Sequence, residues 1–586
     1  MPSSPEQDHP DQDHPERRAN PTPFDRAGAL DRLASDAFDV LIIGGGITGV
    51  GVALDAASRG LRTALVEKDD FASGTSSKSS KLVHGGLRYL QQHEFRLVYE
   101  NLAERQRLLE NAPHLVSPLP FLIPLFGRDG AVNRGVARVY RTALRLYDLT
   151  GGIRIGRHYQ RISRQEALAH LPTLQTDRLA AGFLYWDART DDARLTLAVL
   201  RTAVLDHGAV AVNHAGARSL LIGAGGRVEG ATIAPDDGDP FPVHARVVVN
   251  ATGVWADDVA ALEGRGHPAS IQPAKGVHIT VPAAALPCDI AAVIPVAKDR
   301  RSIFVVPWGD QVYLGTTDTA WDGPLDDPTC LPEDVDYILG AVNAVVTRPV
   351  RRADVTGVWA GLRPLLAAEP GKHAPSERTA DLSRRHTVRA DASGVVTVTG
   401  GKLTTYRKMA EDTVDRVVSL LDQARTPCRT RDLRLVGAGT RRRTRPELAS
   451  ECRPRSTDRA GVVADHLAGR FGDETPAVLA LTADHPELLG PLVPGLDYLR
   501  AEAIYAVRHE MACTLADVLE RRTRAMLRDA RATATAAGDV AALIGPELGW
   551  SEERCRQEAE AYAGAIRVEL ERAGLASDAT VPGGHS

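Results

Sequence analysis

The sequence predicts a doubly wound α/β fold interleaved with an antiparallel-sheet domain and followed by an α-helical C-terminal domain. Three observations carry this. Residues 38–67 read as strand, glycine turn, helix and strand, the unit from which parallel sheets are built. Residues 271–317 alternate polar and apolar side chains as antiparallel strands do. Towards the C-terminus, Ile504, Val507, Met511, Leu515, Val518 and Leu519 recur at helical spacing.

Taken in order, residues 1–36 are rich in Pro, Asp, Gln, His and Arg, with a short QDHP/DHPE repeat, and are expected to be a disordered arm. His9 and His14 are read as part of a solvated tail. Val40, Leu41, Ile42 and Ile43 then make a short apolar run, as a strand buried on both faces would. Gly44, Gly46 and Gly49 follow as G-x-G-x-x-G. A helix is expected over residues 47–59, stopped by Gly60, and a second strand over 63–66, ending in Glu67.

Each part suits a dinucleotide. The first glycine permits the tight turn, the second lets backbone approach a pyrophosphate, and the third lets helix and strand pack closely. The helix N-terminus offers free N–H groups and a positive dipole end. Glu67 is placed to hold ribose hydroxyls and would repel a 2′-phosphate. Gly45, Thr48 and Lys68 are assigned to the same site.

Next comes FASGTSSKSSKLVHGGLRYLQQHEFRLV, where Ser73, Thr75, Ser76, Ser77, Ser79 and Ser80 crowd into eight positions. Such a loop can donate many hydrogen bonds to phosphates, or be an ordinary flexible loop. Lys81, His84, Arg88 and Tyr89 immediately after it add cationic and proton-transfer groups. Helices are expected at 95–112, 131–150 and 163–170, an extended region at 113–124, and a helix starting near Asp191. Residues 205–244 read as a β-meander.

Val247, Val248 and Val249 form a further buried strand, which turns through Ala251, Thr252 and Gly253 into a helix containing Trp255. Gly253 is assigned to the nucleotide site, and Trp255 and Trp308 to the core. Residues 271–317, with a hairpin at Gly309-Asp310, are expected to floor a substrate domain, followed by a helix over 331–347. Residues 357–366 and 394–421 are expected to return to the nucleotide domain. In the latter, a strand runs into Gly400 and Gly401, and a helix begins near Thr404, giving a second glycine turn suited to an anion or a polarised ring edge.

Residues 440–456 are Arg- and Pro-rich and read as an exposed linker. Ser551 with Glu552 and Glu553 can open the last long helix, and 576–586 is a tail. The expected divisions are 37–425, with substrate parts near 113–185 and 267–350, a linker at 426–454 and a helical domain at 455–575.

Composition narrows the function. A net charge of −5 argues against a nucleic-acid surface. The six cysteines are scattered without a C-x-x-C, which fits a reducing cytosol and argues against a metal site or a disulfide framework. The opening residues have no apolar core, so no secretory signal is expected. No apolar run nears the roughly 18–20 residues that span a bilayer, so any membrane contact would be peripheral.

With KLVHGGLRYL, GTTD (315–318), AGLRPL (360–365) and GGKLTTYR (400–407), residues 37–425 resemble the FAD-dependent, respiratory-type glycerol-3-phosphate dehydrogenases, which belong to the glycine/D-amino-acid oxidase-like flavoproteins. The segment with YAVRHEMACTLADVLERRTRA (505–525) resembles that family's C-terminal cap domain. The resemblance implies a noncovalent FAD. Gly44, Gly46, Gly49 and Glu67 would hold its ADP half. The serine loop, with Thr75, Ser76, Ser77, Ser79 and Ser80, and the turn with Gly401, Leu403 and Thr404 would hold the pyrophosphate and flavin ring.

It further implies that Arg88, Tyr89, Arg363 and Lys402 surround the substrate, with His84 close to the ring. Arg384, or its neighbour Arg385, would be a further phosphate ligand. The implied reaction oxidises sn-glycerol 3-phosphate to dihydroxyacetone phosphate, with electrons passed to a membrane quinone. The enzyme would be cytoplasmic, peripheral at the inner face of the membrane and a homodimer.

Chemistry supports these roles. A phosphate dianion favours planar, permanently charged guanidiniums. Loss of the C2 hydroxyl proton asks for a base near neutrality, and His84 is the candidate. Lys402 could stabilise negative charge on the reduced flavin. The basic stretch 134–161 could touch anionic lipid or be a solvated face. The rival readings are an oxidase of the same substrate using oxygen, a flavoenzyme of amines or hydroxy acids, and a non-catalytic FAD-binding regulator.

Overall fold

The strand Ala37–Ile43 lies inside a sheet of eight described strands, six of which follow the order Thr387–Ala390, Val396–Thr399, Phe241–Asn250, Ala37–Ile43, Thr63–Val66 and Val210–Val212. The structure is a computed structural model that describes residues 24–87, 94–127, 134–264, 271–296, 301–366, 385–422, 426–439 and 459–576. The pairing is parallel on both sides of the central strand, with Val40 opposite both Val247 and Thr63.

Residues 38–43 are all buried, and their alternation divides two cores. Val40 and Ile42 pack with the opening helix Ile47–Ser58 and with Asp192–Leu205 and Tyr406–Leu421. Leu41 and Ile43 pack on the other face, under the antiparallel strands Ala215–Ile222 and Val228–Pro235. A run apolar at every position is therefore what this strand requires.

That second face also receives the helix Arg26–Ser35, whose Leu33 is fully buried there. The expected disordered arm over 1–36 is thus corrected for its last part: residues 26–35 are helical, because Leu33 has a core to enter. Residues 1–23 lie outside the described residues, as does the expected linker core at 440–456.

A second sheet, of ten described strands, is mostly antiparallel and holds Val116–Phe126, Leu179–Thr190, Ile271–Pro282, Ser302–Trp308 and Gln311–Gly315. The hairpin at Gly309-Asp310 joins the last two. One expectation fails here. Gly357–Leu366 does not return to the nucleotide sheet but runs antiparallel along Ile271–Pro282, from Gly357 opposite Thr280 to Leu366 opposite Ile271. Residues 396–421 do return, as strand and helix.

The C-terminal region is helical, with Arg459–Phe471, Arg500–Glu510, Ala530–Ile544 and Glu552–Arg572 as its longer members. Ser551 caps the last of these, accepting from the Arg554 N–H. The apolar period 504–519 does not make one helix. The first helix stops at Met511, whose φ is +56°, and Asp517–Arg522 is a wider π-type turn. This region shares one apolar core with the second sheet: Leu515, Val518, Leu527 and Ile566 join Val277, Ile279, Val358 and Trp359. A Cβ on Gly357 would overlap the Leu527 carbonyl, so strand and helical domain meet backbone to backbone. Among the described residues, no helix is long and apolar enough to cross a membrane.

Candidate active site

The glycine turn is shaped by what it excludes. Gly44 has φ +111°, and a Cβ there would sit 2.8 Å from the Ala251 carbonyl oxygen. A Cβ on Gly49 would overlap the Gly44 carbonyl oxygen. A Cβ on Gly45 would meet Glu67 at 2.9 Å. Gly46 alone of the four meets a single neighbour, the Ser76 hydroxyl at 3.2 Å. Behind the turn, Glu67 accepts from the Gly45 N–H at 2.6 Å and the Asp69 N–H at 3.0 Å. Burial raises its carboxyl pKa.

In front of the turn lies a cavity of about 350 Å³. Gly44, Gly46 and Thr48 form one wall, with Glu67 and Lys68 beside them. Thr75, Ser76 and Ser79 form a second wall, and Gly253, Gly401, Lys402 and Leu403 close a third. The Ile47 N–H, the first of the opening helix, donates to Ser76 Oγ at 2.8 Å. Serine loop and helix N-terminus therefore face the same space.

Five residues expected at this site stand behind it. Gly45 and Gly49 shape the turn without lining the cavity. Ser77 is buried. Ser80 Oγ lies 2.8 Å from His278 Nε2, and Thr404 Oγ1 accepts from the His84 N–H at 3.4 Å. These three side chains brace the loops from within. Trp255 is corrected in the opposite sense. It was expected in the core, but it lines the cavity, with the Lys68 ammonium 4.5 Å from its ring centre. Its Nε1 is buried without a hydrogen-bond partner among the described residues, a donor that a polar ligand would satisfy. Trp308 packs, partly buried, against the second sheet's core.

On the substrate side, Arg88, Tyr89 and Arg384 lie outside the described residues. Arg385 is described and pairs with Glu94 at 2.5 Å. His84 follows the two-residue strand Leu82–Val83, and the next residue, Gly85, donates its N–H to Tyr147 and Asp187. Lys402 precedes the turn Leu403–Thr405 and lines the cavity. Arg363, on Gly357–Leu366, has its fork engaged: Nη1 donates to Asp318 at 3.1 Å, and Nη2 to Thr316 Oγ1 and the Thr317 carbonyl, both at 3.1 Å. Asp318 of the GTTD run therefore orients this arginine.

Sequence reading missed a buried polar cluster beneath the serine loop. Asp192 accepts from Ser79 N–H at 3.0 Å, Ser79 Oγ at 2.7 Å, Lys81 Nζ at 3.0 Å and Arg524 Nη2 at 2.9 Å. Burial alone would raise the Asp192 pKa, but Lys81 and Arg524 outweigh it and hold the carboxyl below the usual range. Burial, with Arg524 nearby, lowers the Lys81 ammonium to about 8. Burial, Lys81 and Arg363 push His278 well below its ordinary pKa, so its ring is neutral. The ring stacks on Trp359 at 4.8 Å. The paired acids after Thr190 and the KGVH run were the only signals available in the sequence.

Against known proteins, a family model described as FAD dependent oxidoreductase matches residues 39–407. One described as the C-terminal domain of alpha-glycerophosphate oxidase matches residues 428–555. Glycerol-3-phosphate dehydrogenase 2 of Mycobacterium tuberculosis is 40% identical over 558 residues, covering 94% of this chain and 91% of its own. The mitochondrial glycerol-3-phosphate dehydrogenase of Mus musculus is 38% identical, covering 91% of this chain and 74% of its own. The structure of the glycerol-3-phosphate dehydrogenase from Bacillus halodurans complexed with FAD superposes with a TM-score of 0.73 at 31% identity, covering 95% of this chain and 99% of that one.

A side chain at Gly46 would enter the cavity between the helix N-terminus and Ser76. Gly46→Val is expected to purify folded but colourless; a full flavin spectrum from this variant would show that the glycine turn does not face the cofactor.

Proposed function

This chain belongs to the FAD-dependent glycerol-3-phosphate dehydrogenase family, and on that premise we propose that it oxidises sn-glycerol 3-phosphate to dihydroxyacetone phosphate and passes the electrons to a membrane quinone. The observation that carries the reading is the cavity bounded by the glycine turn, the serine loop and the 400–403 turn, with Lys402 in its wall. FAD held there noncovalently supplies the acceptor for the hydride that leaves C2. Gly44, Gly46 and the N-terminus of Ile47–Ser58 take the pyrophosphate, and Glu67 takes the ribose. Ser76, Ser79 and Leu403 face the remainder of the cofactor.

His84 takes the proton of the C2 hydroxyl, and Lys402 sets a positive charge beside the ring edge. By the family resemblance, Arg88, Tyr89 and Arg384 (or Arg385) would join Arg363 around the phosphate. Asp318 and the threonines Thr316 and Thr317 hold the Arg363 fork in one orientation before substrate arrives. A preorganised guanidinium meets a dianion with less entropy to lose, although the anion competes with Asp318.

The acceptor has two readings. The quinone reading is supported by the resemblance to the respiratory-type dehydrogenases. Oxygen is favoured by the oxidase description of the model that matches the C-terminal region. For the quinone reading, the helix Arg134–Leu149 offers a surface for a bilayer. It turns Leu144 and Tyr147 inward and presents Arg138, Arg141 and Arg145 outward together with Val139 and Leu149, the last 83% exposed. Tyr99, 54% exposed, stands near the end of this helix with Arg154 at 5.1 Å from its ring. Exposed cations interleaved with apolar side chains suit an anionic lipid surface.

Anaerobic addition of glycerol 3-phosphate to the purified yellow protein is expected to bleach the band near about 450 nm that belongs to oxidised flavin. A flavin that stays oxidised would overturn the substrate. Reoxidation by a soluble quinone much faster than by dissolved oxygen is expected, and the reverse order would assign oxygen. Arg363→Ala is expected to lower kcat/KM about 30- to 160-fold, as a lost charged hydrogen bond of roughly 2–3 kcal/mol would; an unchanged kcat/KM would remove it from the phosphate site. The chain should sediment with anionic vesicles at low salt and be released by combined Arg138→Glu, Arg141→Glu and Arg145→Glu; equal sedimentation of the variant would return this helix to the solvated surface.

A further inference from the structure

The wall formed by Ser73, Gly74 and Thr75 is thin. These residues line the 350 Å³ cavity on one side and a second cavity of about 450 Å³ on the other. Within this stretch Thr75 Oγ1 donates to the Leu362 carbonyl at 2.5 Å and the Trp255 ring lies against Gly74, so the rest of its support comes from the two ends of the loop. The second cavity is closed on its far side by Thr514, Ala516 and Arg521 of the C-terminal domain.

Both ends of the loop are gripped by one short segment of that domain, residues 517–524. At the start of the loop, buried Asp70 accepts from Arg521 Nε and Arg522 Nη1, both at 2.6 Å, and from Arg522 Nη2 at 2.8 Å. At its end, Arg524 donates to the Ser77 carbonyl and to Asp192, which in turn holds Ser79 and Lys81. The backbone of the segment is built for this. The π-type turn Asp517–Arg522 sets Arg521 and Arg522 together on Asp70, and Arg524, at φ +74°, turns back towards the loop. Asp517 secures the turn itself, lying 3.0 Å from His214 Nε2 and accepting the Cys513 N–H at 2.8 Å.

We infer that residues 517–524 are a clamp that holds the serine loop in its cofactor-binding position, so that the C-terminal domain completes the FAD site and Arg522 and Arg524 are positioning residues for it. This rests on the FAD reading of the cavity. Arginine suits the task because its fork meets a carboxylate and a carbonyl together in a fixed geometry. By linkage, if the clamp favours cofactor binding, bound cofactor must stabilise the clamp by the same factor.

The test uses the full chain stripped of FAD and then titrated with it. Arg524→Met, which removes the hydrogen bonds to the Ser77 carbonyl and to Asp192, is expected to raise the FAD Kd at least about tenfold, and Arg524→Lys to recover most of that affinity. The control is Arg201→Met. Arg201 docks the same domain through Glu474, at 2.6 and 2.9 Å, but does not touch the loop, so its Kd should stay within about threefold of wild type. Wild-type binding by Arg524→Met, or equal weakening by Arg201→Met, overturns the clamp while leaving the cofactor assignment intact. A wild-type chain that takes up no FAD overturns both. If Arg524→Met does not fold, hydrogen exchange on the wild-type chain decides: FAD should slow exchange in 517–524 as well as in 70–81, and protection confined to 70–81 rejects the clamp.

Discussion

One buried carboxylate organises the middle of this molecule. Asp192 sits at the start of Asp192–Leu205 with no exposure to water, so each lone pair it lacks in solvent has to be met by protein. It meets five donors, two of them cationic, drawn from the serine loop, from the C-terminal domain and from the Ala193 N–H of its own helix. Breaking one member of such a buried set leaves an uncompensated charge, which costs on the order of 3–5 kcal/mol. The loop wall, the helix beneath it and the cap domain therefore hold one another in place. Further buried pairs follow the same line: Arg194 meets Glu510, and Arg201 meets Glu474, both from the helix that Asp192 opens.

The two halves of the candidate site are built by different physics. On the nucleotide side, space is the constraint. Gly44 and Gly49 exist so that strand, turn and helix backbones can touch, and Glu67 is fastened by backbone N–H groups behind the turn. On the substrate side, charge is the constraint. Burial, with Lys81 and Arg363 nearby, keeps the His278 ring unprotonated.

The parts that could be read in advance are those with a local cause. The opening strand, turn and helix follow from a run apolar at every position and from three glycines whose spacing leaves few alternatives. Ser551 opens its helix because a hydroxyl can satisfy the first free N–H groups. The parts that misled have non-local causes. Gly357–Leu366 is apolar enough for either sheet, and nothing within it says that Ile271–Pro282 will be its partner. The apolar period through Met511 continues although the helix ends there, because both flanking pieces bury apolar side chains. Trp255 looks like core because its area is large, yet it stands at the cavity edge with its indole N–H unsatisfied.

By itself, then, the sequence determined the nucleotide fold, the strand-rich second domain, the helical end and the residues of the glycine turn, since these depend on periodicity and on backbone space within a few tens of residues. Tertiary structure alone decided which serines face the cavity and which brace it from behind, that Arg363 is oriented by Asp318, and that Arg521, Arg522 and Arg524 reach the loop at 70–81. The reason is distance along the chain. Asp70 and Arg522 are separated by 452 positions. A charge pair at that separation leaves no periodic mark in the sequence, and it is brought together by the packing of the C-terminal domain on the second sheet and on the helix Asp192–Leu205.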